Sequence, residues 1–453
     1  MTRGRAIGLA LTVLLFAAAP APAAAIGPPD VVTGPPPPDP VVAPEFPMKQ
    51  NTQCQTAGVL PASDLAQPPP ADLALRLRQA RALSRGAGVT VAVVDTGVHP
   101  NPRLPNLSGG GDFVVAGDGL TDCDAHGTLV AGIIGAASDP ADGFAGVAPD
   151  ARIIAIRAHS AAFTEERPIG QDPVERLALP VRTLARAITH AAYLGAGVIV
   201  VPSALCVPVD LPVDQTSLAA AIGFAVYDRG ALIVAGAGDT AGSGSSCAQN
   251  PGIDPAHPAD PRNWAGVKTI AVPGWFAPAV LTVGFTTADG TPVPESLNGP
   301  WVLAAAPGTG IESLGPDGAG LVNGIGPPGK LAPIGGPAFA AAYVGGVAAL
   351  VRSRYPNENP ADIIARLVGA AHAPARRIDN AVGAGVIDPL AALSYRTPPA
   401  APAGLFRAAE LPVPPPRPGP DTRPRRTALI VIAVIAALGL CVVLPGRTSR
   451  RAR

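Results

Sequence analysis

The run Val89-Thr-Val-Ala-Val-Val-Asp-Thr-Gly97 indicates the fold class of this 453-residue chain. Its first six residues form a continuous, largely β-branched apolar segment, which is typical of a parallel strand buried on both faces. The segment ends at a carboxylate followed by a glycine-containing turn, Asp95-Thr-Gly97. We therefore predict a buried strand over residues 89–94, with Asp95 at its carboxyl end.

Similar apolar runs alternate with helical patterns along the chain. The runs predict strands at residues 153–156, 197–201, 232–235, 269–272, 281–285 and 301–304. Helices are predicted at residues 179–194, 218–227 and 339–352, and Asn359 is a suitable cap for one more. Alternation at this spacing predicts an α/β domain over residues 60–394, with a mostly parallel sheet between layers of helices.

The N-terminal residues have the features of an export signal. Arg3 and Arg5 precede an apolar run over residues 6–19, and Ala23-Ala24-Ala25 follows as a cleavage site. This order predicts a secretory signal peptide over residues 1–25. A membrane anchor is the alternative, but the apolar run is short for a membrane span.

Three further segments differ from the body in composition. Residues 26–59 and 395–427 are rich in proline and predict an extended N-terminal arm and a linker, respectively. Residues 428–444 form an uninterrupted apolar run, whose length is at the lower limit for a transmembrane helix. Residues 445–453 are rich in arginine and fit a short cytoplasmic tail. We expect a single-pass protein of the cell membrane whose body is extracytoplasmic.

Charge and cysteine content narrow the classes of function. Lys+Arg and Asp+Glu are equal at 33 each, so the net charge gives no reason to expect a nucleic-acid partner. Four cysteines of the exported part predict two disulfides, with three connectivities open and buried free thiols as the alternative: Cys54, Cys123, Cys206 and Cys247. No CxxC pair or histidine cluster accompanies them, so we predict no metal and no cofactor.

Two further motifs complete a catalytic pattern with Asp95. His126 lies in Asp124-Ala-His-Gly-Thr-Leu-Val-Ala-Gly132, and the helix at 339–352 begins after Gly336-Pro-Ala-Phe339. A buried aspartate can orient a histidine, which then takes the proton of a nucleophile. In this chain order the three motifs resemble those of subtilisin-like serine peptidases. The resemblance implies a subtilisin-like three-layer α/β fold.

The third motif lacks its reacting group. Subtilases read G-T-S-[MF]-A-x-P here, so Ala338 occupies the position of the serine and Ala342 that of the proline. Loss of this serine in a tested subtilase lowered kcat by about 10⁶. We therefore expect Asp95 and His126 to remain as a packed, hydrogen-bonded pair. Ser313 lies outside the motif and is not expected to act as a substitute.

A second position also departs from the family. Gly236-Ala-Gly-Asp239 resembles A-A-G-N, in which the asparagine donates a hydrogen bond to the oxyanion. An ionised carboxylate at Asp239 donates nothing, and losing such a donor typically costs about 2.7–4 kcal/mol. A protonated Asp239 could donate, but only with a strongly raised pKa. Ala338 together with Pro337, Ala342 and Asp239 favours gradual loss of the site over a single engineered substitution. Pro202 is a further candidate departure.

The order of segments narrows the resemblance to one branch of the subtilases. That order is similar to the order of segments in the mycosins, the membrane-anchored subtilases of type VII secretion systems. The sequences of residues 303–310, 335–344 and 385–389 also resemble those of mycosins. The resemblance implies that the N-terminal arm wraps the body and that Cys54 pairs with Cys123 and Cys206 with Cys247. It also implies association with the secretion membrane complex, a role that needs no nucleophile.

Three functions fit these observations. The first hypothesis is a catalytically inactive mycosin-like protein that is a structural part of the secretion complex. The second is a peptidase that processes secreted substrates with water activated by His126. The third is a module that binds peptides in the cleft, by strand addition, without cutting them. The sequence leaves self-association and calcium binding open.

Overall fold

The computed structural model describes residues 26–395 and 423–443, except for 32–33, 168–169, 171, 242–246, 317 and 319. The predicted signal peptide (1–25), the cytoplasmic tail (445–453) and most of the predicted linker (395–427) lie outside the described residues. The described residues up to 395 belong to one compact unit, and those from 423 onward belong to a second.

The strands of the first unit form one large sheet and several small ones. In chain order they are β1 (Met48–Gln50), β2 (Thr56–Gly58), β3 (Thr90–Asp95), β4 (Leu107–Asp112), β5 (Arg152–Arg157), β6 (Phe163–Glu165), β7 (Val198–Val201), β8 (Leu205–Pro208), β9 (Leu232–Gly236), β10 (Thr269–Val272), β11 (Val280–Thr286), β12 (Val302–Pro307), β13 (Ser313–Leu314), β14 (Leu321–Val322), β15 (Gly324–Gly326) and β16 (Ala332–Pro333).

The large sheet has seven strands in the order β12-β11-β9-β7-β3-β5-β4. All of its pairings are parallel. Every residue of β3, β7, β9 and β11 is buried. Since successive side chains of a strand point to opposite faces, both faces of the sheet are covered. The predicted α/β class with a large parallel sheet is confirmed.

Helices cover the sheet. The helices of the first unit are α1 (Pro70–Ala74), α2 (Leu77–Leu83), α3 (His126–Gly135), α4 (Pro173–Tyr193), α5 (Thr216–Gly223), α6 (Pro337–Arg354), α7 (Pro360–Gly369) and α8 (Pro389–Ser394). Helix α6 packs on β7, β9 and β11 and on α3, whereas α4 packs on α5 and β3. The predicted cap at Asn359 is present, in a capping box with Asp362.

Several local features differ from the sequence predictions, among them an edge strand, an antiparallel ribbon and the end of a helix. Strand β4 was not predicted, because Leu107-Ser-Gly-Gly-Gly-Asp112 lacks β-branched residues. Strand β10 was predicted correctly, but it pairs with β8 in a separate antiparallel ribbon instead of joining the large sheet. The helix predicted to reach residue 227 changes from α to π geometry at Phe224–Asp228.

The described part of the predicted N-terminal arm (residues 26–59, except 32–33) contacts the body at several points. Its strands β1 and β2 pair with β6 and β15 of the body. Helix α4 contacts the earlier part of the arm through Arg182, which forms an ion pair with Glu45 at 2.5 Å, and through Tyr193, which donates to the Pro37 carbonyl at 2.8 Å. The bond between Cys54 and Cys123 adds a covalent attachment. The arm therefore wraps the body as the mycosin resemblance implies.

The second unit is described by a single helix, α9 (Arg423–Val443). It begins five residues before the predicted membrane span of residues 428–444, and its side chains are described only for residues 427–438. Across the described part of the chain, no helix is both long enough and apolar enough to cross a membrane.

Candidate active-site cleft

Asp95 is the last residue of β3, an interior strand of the large sheet. The carboxyl ends of parallel strands are the usual location of ligand sites in open α/β sheets. The Asp95 side chain is fully buried. One of its oxygens, Oδ2, lies 2.7 Å from Nδ1 of His126, the first residue of α3. The predicted hydrogen-bonded pair is therefore present.

Close backbone contact explains the glycine in each of these two motifs. A Cβ on Gly127 would lie 2.0 Å from the carbonyl oxygen of Gly97, so a larger residue cannot occupy this position without a shift. Gly97 itself has φ +95° and would bring a Cβ within 2.0 Å of the Thr121 carbonyl. The start of α3 is thereby held against the turn after β3, which places His126 beside Asp95.

A buried network beneath this pair fixes the same contact. The Thr96 hydroxyl accepts a hydrogen bond from the Gly127 N–H at 2.9 Å and donates to Asp122 Oδ1 at 2.9 Å. Asp122 also accepts from the N–H and hydroxyl groups of Thr128 at 2.8 and 2.6 Å. Burial raises the pKa of Asp122 to about 6, against the opposing effect of these hydrogen bonds.

We expect Thr96→Val to lower the free energy of unfolding by about 1–3 kcal/mol, because it leaves the buried Gly127 N–H without a partner and removes one of the two hydrogen bonds to Asp122 Oδ1. Chemical denaturation of the purified full chain measures this. Thr189→Val is the matched control, since the Thr189 hydroxyl is also buried but bonds only to the Ala185 carbonyl within α4. Equal losses for the two variants would contradict a specific role for Thr96.

The charge of Asp95 makes the His126 imidazole more basic. Burial by itself lowers the pKa of His126, but the charge of Asp95 and the hydrogen bond to it outweigh this and raise the pKa above its usual value. The ring is still 23% exposed on its cleft side and packs against Phe339, with ring centroids 5.2 Å apart. His126 is therefore oriented as a base next to the start of α6.

A second histidine, absent from the sequence motifs, lies beside Asp95. Nε2 of His159 is 3.5 Å from Asp95 Oδ1, the oxygen that His126 does not use. Burial lowers the pKa of His159, and the nearby Asp95 only partly offsets this. His159 follows β5, so its approach to Asp95 depends on the pairing of β3 with β5 and has no local sequence signal.

Position 338 lies in the first turn of α6, where subtilases have their nucleophile. Gly336 caps the helix with φ +142°, Pro337 is its first residue, and Ala338 is buried with 7% exposure. Ala338 and His126 line the same cleft, and the next residue, Phe339, contacts the His126 ring. A methyl group thus occupies the position from which a serine hydroxyl would reach the histidine.

Asp239 faces the start of the same helix. Its Oδ1 accepts a hydrogen bond from the Ala241 N–H at 2.8 Å, and its Oδ2 would lie 3.9 Å from a Cβ at Gly336. The N–H groups of a first helical turn have no partner within the helix and favour negative charge. A carboxylate at Asp239 is thus compatible with the helix terminus, but it cannot donate to an oxyanion there.

The four predicted site residues lie at one cleft of about 610 Å³, three of them in its lining and Asp95 directly behind His126. The wall also contains Pro202 and the Cys206–Cys247 disulfide, which joins Cα atoms 5.2 Å apart. Both disulfides implied by the resemblance are present. Among the described residues, no group of three or more His, Cys, Asp or Glu could hold a metal ion.

Ser313 does not belong to this cleft. Its side chain is fully buried and donates to the Leu129 carbonyl of α3 at 2.7 Å. It is also absent from the residues that line the cleft. The expectation that Ser313 does not replace the missing nucleophile agrees with this position.

Comparisons with known proteins agree with this geometry. The model of the Subtilase family matches residues 86–385. Mycosin-3 of Mycobacterium tuberculosis is 47% identical, covering 100% of this chain and 98% of its own length. The crystal structure of MycP1 from Mycobacterium smegmatis is 47% identical, with a TM-score of 0.79 over 85% of this chain and 100% of that one. A chain in the structure of an intact ESX-5 inner membrane complex is 44% identical, with a TM-score of 0.78 over 92% and 99%.

The family model matches most of the body, and the relatives are similar to this chain over nearly their full lengths. These two comparisons therefore agree with each other. They also agree with the order of the motifs at Asp95, His126 and Ala338. This chain belongs to the subtilase family and, within it, to the mycosins.

Proposed function

We propose that this chain is a proteolytically inactive mycosin that acts as a structural component of a type VII secretion complex. The observation that carries the proposal is the methyl group of Ala338 beside the oriented pair of His126 and Asp95. The pair can position and accept a proton, but position 338 has no oxygen to release one. The nucleophilic step of peptide hydrolysis therefore has no attacking group.

The oxyanion position supports the same conclusion. Where subtilases use an asparagine donor, Asp239 has carboxylate oxygens, which accept hydrogen bonds and repel a developing negative charge. Hydrolysis by water activated at His126 would face the same repulsion. The residual rate of a subtilase without its triad is about 10³–10⁴ over the uncatalysed reaction, and it depends on the oxyanion site. Loss at both positions leaves little basis for a peptidase.

The relatives support the structural role. A similar chain is part of an intact ESX-5 inner membrane complex, and another belongs to the periplasmic assembly of that complex. The parallel sheet, the arm contacts and both disulfides of this chain stabilise the body without any catalytic requirement. Such a body can bind other subunits of a membrane complex through its surface.

We further propose that the body, residues 60–394, lies outside the cytoplasm. A signal peptide over residues 1–25 would export it, and a span over residues 428–444 would anchor it, with residues 445–453 inside. The apolar run of residues 428–444, which is at the lower length limit for a transmembrane helix, is the sequence feature that supports the anchor.

The proposal predicts that the native host assembles its secretion membrane complex poorly when the gene for this chain is deleted. We expect the wild-type chain and a His126→Ala variant to restore assembly equally, because the role requires no proton transfer. Native gel electrophoresis of solubilised membranes measures the amount of complex. Normal assembly in the deletion strain would show that the chain is not a structural component. Restoration by the wild-type chain but not by a folded His126→Ala variant would point to chemistry.

The cleft favours peptide binding as a second candidate function. The cleft has a volume of about 610 Å³ although the nucleophile is missing. Its lining includes Leu177, Leu205, Ile325 and other apolar residues. An extended peptide could be held there by backbone hydrogen bonds. Normal assembly combined with altered secreted cargo in the deletion strain would favour this candidate over the structural role.

A further inference from the structure

One oxygen of the Asp95 carboxylate is buried without a hydrogen bond. Oδ2 of Asp95 lies 2.7 Å from Nδ1 of His126, but Oδ1 has no hydrogen-bond partner and is shielded from water. The Asp95 residue as a whole is fully buried. Buried carboxylate oxygens are rarely left without a donor, because water can no longer solvate their charge. A donor for Oδ1 is therefore expected close by.

His159 is the side chain that is placed to supply this donor. Its Nε2 lies 3.5 Å from Asp95 Oδ1, slightly beyond the ordinary length of a hydrogen bond. The His159 side chain is 43% exposed, so its ring has room on the cleft side for the small rotation that shortens this distance. His126 and His159 both line the cleft. One buried carboxylate thus lies between two imidazole rings.

The backbone around His159 is fixed to both motifs of the site. The Ala158 N–H donates to the Asp95 carbonyl at 2.7 Å, which extends the pairing of β5 with β3. On the other side of His159, the Ala161 N–H donates to Asp124 Oδ1 at 2.8 Å. The segment that carries His159 is therefore attached both to the strand of Asp95 and to the residues that lead into α3.

Asp95 is the one acceptor among the charged groups around His159 that still lacks a donor. Those groups are Asp95, His126, Asp124 and Arg157. Asp124 already accepts hydrogen bonds through both of its oxygens. Arg157 is a cation and offers no acceptor. His126 is itself bonded to Asp95. The geometry therefore directs the His159 ring to Asp95 Oδ1.

We propose that His159 is a positioning residue that donates its Nε2–H to Asp95 Oδ1, so that one carboxylate serves two histidines and His159 limits the basicity of His126. An ionised carboxylate only accepts hydrogen bonds, so both nitrogens that face Asp95 carry a hydrogen. His126 then keeps Nε2 as its basic nitrogen. This role concerns the charge of His126 and does not rest on the proposed secretion function.

The direction of the effect follows from the charge on Asp95. This charge and the hydrogen bond to Asp95 raise the pKa of His126 against the opposing effect of burial. A hydrogen bond from His159 stabilises the same charge, so it weakens the effect of Asp95 on His126. Partial burial lowers the pKa of His159, so this ring is a neutral donor at pH 7. Without that donor, His126 should become more basic.

We expect His159→Phe, which keeps a ring but has no donor, to raise the pKa of His126 by about one pH unit. NMR titration of the purified full chain, labelled with ¹³C in its six histidines, measures this value. The His126 signal is assigned by its loss in His126→Gln. An unchanged or lowered pKa of His126 in the His159→Phe variant would overturn the proposal.

Further variants separate the hydrogen bond from the loss of a ring. His159→Gln offers an amide N–H for Asp95 Oδ1 and should keep the pKa of His126 close to its wild-type value; a rise as large as in His159→Phe would contradict the donor role. His257→Phe is the matched control and should change nothing, since His257 also pairs with an aspartate, Asp254 at 2.7 Å, but does not line the cleft. If His159→Phe does not fold, His159→Leu removes the donor with a smaller side chain and gives the same test.

Discussion

The purified full chain is expected to remain unlabelled by a fluorophosphonate probe, and Ala338→Ser alone is expected to label only slowly. Alanine has no oxygen that could attack phosphorus. The serine variant would regain a hydroxyl in the first turn of α6, beside His126, whose ring is held by Asp95 at 2.7 Å. Proton transfer would then be restored, but Asp239 would still face the negative oxygen of the probe.

Ala338→Ser combined with Asp239→Asn should label about 10²–10³ times faster than Ala338→Ser alone. This is the typical effect of one oxyanion donor. The amide of the variant could donate where the carboxylate only accepts, and the N–H groups at the start of α6 are available as further donors. Rates of probe incorporation, measured by in-gel fluorescence, give the ratio directly.

Two controls assign the labelling to this site. Adding His126→Ala to the double variant should abolish it, and Ala342→Ser, one turn further along α6 and fully buried, should not label at all. Fast labelling of the single Ala338→Ser variant would show that the oxyanion site is intact and that our interpretation of Asp239 is wrong. Labelling of the native chain that is lost with His126→Ala would reveal a substitute nucleophile.

Much of the fold was predictable because it depends on local patterns. The runs in β3, β7 and β9 are mostly apolar and are buried at every position, as expected for central parallel strands. Strand β4 forms from a glycine-rich segment at the sheet edge, where pairing with β5 and not residue preference decides the conformation. The path of the arm was likewise inaccessible from its own residues, since it follows contacts with α4 on the body.

The residues of the candidate site were likewise predictable only in part. Asp95 and His126 were predicted because each lies in a short motif that contains a glycine. The structure explains these glycines, since the backbone at Gly97 comes too close to Gly127 for a larger residue. Position 338 was found from its place in the third motif. His159 was missed because it reaches Asp95 through strand pairing, with no short-range pattern around it.

Removing the Cys54–Cys123 disulfide should lower the free energy of unfolding by about 4 kcal/mol in the chain-entropy model, since the cysteines are 69 residues apart. Cys206–Cys247 closes a shorter loop of 41 residues and should contribute nearly as much. Double Cys→Ser variants of each pair, compared by chemical denaturation of the full chain, measure both contributions.

The two disulfides should nevertheless differ in what they hold in place. Cys54 attaches the arm to the loop before α3, where Gln55 N–H also donates to the Cys123 carbonyl at 2.8 Å. Cys54→Ser/Cys123→Ser should therefore expose the arm to limited proteolysis, whereas Cys206→Ser/Cys247→Ser should leave the arm protected. Equal protection in both variants would mean that the pairing of β1 with β6 and the ion pair between Glu45 and Arg182 hold the arm without the covalent bond. The arm would then be a packed part of the body, and the disulfide would stabilise the chain through the unfolded state alone.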